Sequence, residues 1–223
     1  MKIKKNIEHF RAVIPPHCTL IAVSKTQPVE KIIESYEAGQ RAFGENKAQE
    51  MTAKAESLPN DIQWHMIGHL QTNKVKYIAP FVHLIHGVDS LKLLQEIDKQ
   101  GAKVNRVIPC LLQIHIAEEE TKFGFSEEEV LQLIQSGELE NRKHVRVKGL
   151  MGMATFTDNT VQIRKEFTQL KSFFNKIKSL QKPDTVEMLE LSMGMSNDYT
   201  LALACGSTMV RIGTAIFGER NIH

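Results

Sequence analysis

Short apolar runs alternate with helical stretches eight times along these 223 residues, and that alternation limits the fold more than any other feature. The runs cover 19–25, 42–46, 64–68, 83–89, 110–116, 145–153, 186–193 and 209–213. Between them apolar residues recur at helical spacing. Val29, Ile32, Ile33 and Tyr36 form one face ahead of Gly39, and Leu91, Leu94 and Ile97 form another. Polar helices are expected over 47–58 and 71–79. Ser126 and Glu129 form a capping-box pattern before Val130, Leu133 and Ile134. Ile163, Phe167, Leu170, Phe174 and Ile177 give the clearest amphipathic face. One more helix, 3–14, precedes the first strand. The fifth strand is expected to begin after Pro109, because proline is tolerated at a strand's start and not in its middle. Parallel strands need crossover helices, and eight such units can close into a barrel. The competing open doubly wound sheet usually carries a glycine-rich turn after its first strand. Here that turn reads SKTQP. The expected fold is therefore α/β: a single (β/α)8 TIM barrel over residues 1–223 with an extra N-terminal helix.

Composition narrows the function classes. The chain is 42% hydrophobic and 24% charged, as in ordinary soluble domains. A net charge of +2 gives no electrostatic case for nucleic acid or a membrane surface. No apolar run approaches the roughly 20 residues that span a bilayer. The basic N-terminus lacks the apolar core of a secretory signal, so a cytoplasmic location is expected. Cys18, Cys110 and Cys205 are odd in number and far apart, which argues against a disulfide framework. His65 and His69, read as one strand, would face the same side about 13 Å apart, too far to share a metal.

Barrels of this kind place their active sites at the carboxyl ends of the strands, often with phosphate held after strands seven and eight. Lys25 ends the first strand. An amine partly desolvated there is nucleophilic, as Schiff-base lysines must be, unless the side chain simply leaves for solvent. After the seventh strand, Ser196 is the expected N-cap of a helix over 196–204, and such helix starts attract phosphate. After the eighth, Gly213 allows close approach and Thr214 adds a hydroxyl. A serine cap and a glycine bend also occur without any ligand. Arg211 shares the inward face with Gly213. It either pairs with an internal carboxylate, such as Glu45 or Glu190, or donates to a ligand. Asp158, Asp184 and Asp198 read as loop or cap residues.

Seven blocks then occur in order: AVSKTQP (22–28), FGEN (43–46), WHMIGHLQTNK (64–74), KFGF (122–125), GLMGM (149–153), LSMGMSND (191–198) and GSTMVRIGTAIFG (206–218). Together they resemble the pyridoxal phosphate homeostasis protein family, whose barrel is similar to the N-terminal domain of alanine racemase. The resemblance implies that Lys25 forms the internal aldimine with pyridoxal 5′-phosphate (PLP). It implies phosphate contacts from Ser196, Gly213 and Thr214, Arg211 beside the pyridine ring, and Asn46 lining the pocket. An arginine there would leave the ring nitrogen unprotonated and the ring a weaker electron sink. Gln27 stands where many relatives carry a second lysine, and Lys122 is a possible accessory lysine. The implied function is intracellular PLP homeostasis, without established turnover. The implied partners are PLP and, as receivers, apo PLP-dependent enzymes, with the barrel as a monomer. The alternative is an amino-acid racemase. That reaction needs a second proton carrier opposite the lysine, a tyrosine from a further domain in alanine racemases. Of the tyrosines here, Tyr36 and Tyr77 read as helix residues, and only Tyr199 is expected near the mouth.

Overall fold

Eight parallel strands close on themselves in sequence order, β1 pairing with both β2 and β8. The structure is a computed structural model and describes residues 2–118 and 123–218. The strands are β1 (Thr19–Val23), β2 (Ala42–Glu45), β3 (Gln63–Met66), β4 (Leu84–Val88), β5 (Ile108–Gln113), β6 (Val145–Met151), β7 (Val186–Met195) and β8 (Met209–Ile212). Helix α1 (Lys2–Val13) precedes them and buries Ile3, Ile7 and Phe10. The crossovers are α2 (Val29–Glu37), α3 (Ala48–Ser57), a 3-10 turn (Thr72–Lys74) running into α4 (Val75–Ile78), α5 (Leu91–Lys103), α6 (Glu127–Gln135), α7 (Thr160–Ser179) and α8 (Tyr199–Ala204). A last turn, α9 (Thr214–Phe217), follows β8. The expected (β/α)8 barrel with its extra helix is thus present.

Strand alternation separates two layers. Outward residues such as Leu20, Ala22, Phe43, Trp64, Ile85, Leu112, Leu191 and Ile212 pack under the helices in one continuous core. A smaller cluster of Ile21, Ala42, Leu84, Leu111, Met151 and Met209 fills part of the lumen. The rest of the lumen is polar, with His65, His86, Ser192 and Arg211 all buried. The Ser126–Glu129 capping box forms in full.

Three local expectations are corrected. Strand β5 starts at Ile108 and takes Pro109 as its second residue. Its pairing with β4 begins only at Cys110, so the missing Pro109 N–H removes no bond to that neighbour. Strand β7 runs on to Met195, and α8 begins only at Tyr199. Asp198 Oδ1 accepts the Met195 N–H at 2.6 Å, closing a turn that delays the helix. Asp198, not Ser196, therefore occupies the N-cap position. Strand β3 ends at Met66, which leaves His69 in the following loop.

Candidate functional site

The carboxyl ends of the strands open into a cavity of about 780 Å³. That size suits a small-molecule ligand. Lys25, Asn46, Ser196, Arg211, Gly213 and Thr214, drawn from the ends of β1, β2, β7 and β8, all line it. Val23, Ile67, Met153, Ala154 and Leu201 give it apolar walls. Lys122 lies outside the described residues.

Each side chain is placed by identifiable local structure. Lys25 is half-buried and follows Ser24, whose own side chain faces outward from the barrel. Asn46 is packed tightly from below. A Cβ on Gly68 would stand 2.6 Å from Asn46 O, so only glycine lets the two backbones approach this closely. Gly213 is constrained on its inner side as well. A Cβ there would press on Val23 at 3.2 Å. The absent side chain thus serves the β1–β8 seam as much as any ligand. Thr214 opens α9, and the leading N–H groups of a helix have no intrahelical acceptor. Ser196 sits in the turn between β7 and α8 and presents its hydroxyl without capping the helix.

Arg211 is buried but pairs with no carboxylate among the described residues. Nη1 donates to Ser192 O at 3.0 Å and to Ser192 Oγ at 2.5 Å, and Nη2 donates to Gly152 O at 3.1 Å. Three of its five N–H bonds are engaged, which leaves two for the cavity it lines. Burial lowers its pKa to about 10, with Asp198 acting in the opposite sense, so it stays charged at neutral pH. The carboxylates weighed as partners are engaged elsewhere. Glu45 accepts from Lys54 and Ser24, and Glu190 accepts from Thr208.

Sequence reasoning missed a chain of side chains behind Arg211. Ser192 Oγ lies 2.9 Å from His86 Nδ1, and His86 Nε2 lies 2.9 Å from His65 Nδ1. Arg211 can only donate, so Ser192 Oγ accepts from it and either donates its own proton to His86 Nδ1 or accepts a second bond from Nδ1–H. The bond between His86 Nε2 and His65 Nδ1 runs in the direction that the His86 tautomer sets. His65 Nε2 is buried without a partner. Burial holds both rings neutral, with the His65 pKa lowered to about 3 and that of His86 well below its usual value. The available signal was polar residues at inward positions of β3, β4 and β7. His69 belongs to a separate group, 2.9 Å from Asp89 and stacked on Phe123. Among the described residues no group of His, Cys, Asp or Glu could hold a metal ion.

None of the three tyrosines lines the cavity. Tyr36 bonds to Asp61, Tyr77 lies on α4 beside Lys76, and Tyr199 packs edge-on against Phe10.

The donor set suits a phosphorylated aldehyde. One amine can condense with the carbonyl, hydroxyls and a helix start can meet a phosphate, and an arginine flanks the space between them.

The family described as alanine racemase, N-terminal domain, matches residues 1–221. A pyridoxal phosphate homeostasis protein of Pasteurella multocida (strain Pm70) is 39% identical over 226 residues, covering 99% of this chain and 95% of that protein. The chain belongs to the pyridoxal phosphate homeostasis protein family. A second family member, from Aquifex aeolicus (strain VF5), is 42% identical over 203 residues, covering 90% of this chain and 86% of its own. PipY of Synechococcus elongatus PCC7942, solved without PLP, matches with a TM-score of 0.90 at 34% identity over 97% of this chain and 100% of its own. The PLP-bound form of PipY matches at 0.86. Alanine racemase from Bartonella henselae, with covalently bound pyridoxal phosphate, shares the fold at a TM-score of 0.71 and 16% identity. This chain covers 59% of that racemase. No helix among the described residues is long and apolar enough to cross a membrane.

Proposed function

We propose that this member of the family binds PLP in the cavity at the carboxyl ends of the strands, joined to Lys25 as an imine, and takes part in intracellular PLP homeostasis. The observation that carries the reading is the convergence of Lys25, Arg211, Ser196, Gly213 and Thr214 on one cavity. The bound cofactor supplies an electrophilic aldehyde and a conjugated ring. The Ser196 and Thr214 hydroxyls would hold the phosphate, beside the close approach that Gly213 leaves open. Arg211, held by Ser192 and Gly152, would offer its remaining N–H groups to the ring. Asn46 lines the wall beside Lys25.

Delivery of the held cofactor to apo enzymes is the form of homeostasis we favour. A racemase would need an acid–base group facing Lys25; no tyrosine lines the cavity, and of its carboxylates Asp198 is held by the Met195 N–H while Asp158 lies on the loop before α7. Borohydride reduction with PLP, followed by peptide mapping, tests the reading. The label is expected on Lys25, and recovery on another lysine refutes it. Solvent deuterium exchange at the Cα of amino acids is expected to stay at background. Rapid exchange that requires Lys25 would favour the racemase.

A further inference from the structure

The backbone on both sides of Lys25 is gripped by charged side chains that no ligand contact requires. On the outer side of the barrel wall, Lys54 Nζ donates to Ser24 O at 2.8 Å, to Glu45 Oε1 at 2.8 Å and to Glu50 Oε1 at 2.7 Å. Ser24 Oγ donates to Glu45 Oε1 at 2.6 Å. Glu50 Oε1 also accepts the Thr26 N–H at 2.6 Å. The residue before the lysine is thus held at its carbonyl and its hydroxyl, and the residue after it at its N–H.

Thr26 needs that hold. Its φ of 61° lies in the left-handed region, which a β-branched residue seldom enters unless its surroundings impose it. The cluster is itself demanding, because the Glu45 side chain is fully buried and that of Lys54 only 8% exposed. A pair buried this deeply is weak evidence of stabilisation, because desolvating both charges offsets their attraction.

We propose that Glu50, together with Lys54 and Glu45, acts as a positioning group that fixes the Ser24–Lys25–Thr26 turn and so aims the Lys25 amine into the cavity. The role rests on the reading that Lys25 condenses with the cofactor aldehyde. In that step the amine nitrogen bonds to the aldehyde carbon, and two N–H hydrogens leave with the aldehyde oxygen as water. The rate of such a step falls steeply when the amine is displaced by even about 1 Å.

Three variants separate position from charge. Glu50→Ala removes the acceptor of the Thr26 N–H. Glu50→Asp keeps the charge but withdraws the acceptor. Glu50→Gln keeps a side-chain carbonyl oxygen at the same reach without the charge. Imine formation with PLP, followed by stopped-flow absorbance, is expected to slow at least about tenfold in Glu50→Ala and Glu50→Asp, and to stay within about threefold of wild type in Glu50→Gln. A crystal structure of apo Glu50→Ala should show Thr26 at negative φ. A wild-type rate in Glu50→Ala, or in Glu50→Asp if the alanine variant does not fold, overturns the proposal. So does a Glu50→Gln rate as low as that of Glu50→Ala. If wild type itself forms no imine on Lys25, the cofactor reading fails instead, and the two failures are distinct.

Discussion

Acidification should unfold this barrel partly through one histidine. His65 is 1% exposed, and burial lowers its pKa from the usual 6.5 to about 3. The unfolded chain keeps a pKa near 6.5. Between those values the unfolded state binds one more proton, so stability falls as pH falls. The contribution is complete above about pH 6.5 and is lost progressively down to about pH 3. From pH 7.5 to pH 5 the unfolded chain gains about 1.5 pH units of proton binding, or about 2 kcal/mol. His86 acts in the same direction, for the same reason of burial. Glu45 and Asp198, whose pKa values burial raises, act in the opposite direction. The informative quantity is therefore a difference between wild type and His65→Leu. Urea unfolding of the apo protein at both pH values supplies it. Wild type should lose about 2 kcal/mol more than the variant, a midpoint difference of roughly 1 M. The variant will be less stable at both pH values, because His86 Nε2 loses its hydrogen-bond partner, but that loss cancels in the comparison. Equal pH losses in the two proteins would mean that His65 takes up its proton while folded, and the neutral ring read behind Arg211 would fall with it.

Arg211→Gln should speed cofactor release about tenfold, as expected for losing a charged hydrogen bond, measured by dilution of PLP-loaded protein. Unchanged release would mean that Arg211 serves only Ser192 and Gly152. Lys54→Met should lower stability by roughly 3–5 kcal/mol by leaving the buried Glu45 carboxylate without its countercharge, with Ser24 Oγ its remaining donor. The double variant Glu45→Leu/Lys54→Met should regain most of that loss in the same urea titration, and failure to regain it would contradict the pairing. Glu166→Ala removes the acceptor of both the N–H and the hydroxyl of Thr155, in the loop between β6 and α7. It should cost about 1–3 kcal/mol by thermal unfolding. A smaller effect would mean that water replaces the carboxylate.

The barrel was legible because eight short apolar runs alternate with helical periodicity, a pattern that a helix-covered parallel sheet buries. The strand ends were less legible. They are fixed by pairing partners distant in sequence, as Pro109 shows by entering β5 where β4 is not yet alongside. The residues around the cavity could be placed by strand parity and by their position after β1, β2, β7 and β8. Their partners could not. Arg211 reaches Ser192 and Gly152, and His86 reaches Ser192 across the lumen, contacts that depend on the radius and shear of a closed sheet. Ser196 was misread as a cap because Asp198, two residues on, competes for the same turn.

The seam between β1 and β8 has a consequence for synthesis. Lys25 leaves the ribosome long before Gly213 and Thr214 do. The two rims of the cavity therefore cannot meet until β8 has been made and the circle of strands is joined. On the proposed imine, capture of the vitamer follows ring closure, and its colour would report which molecules had closed.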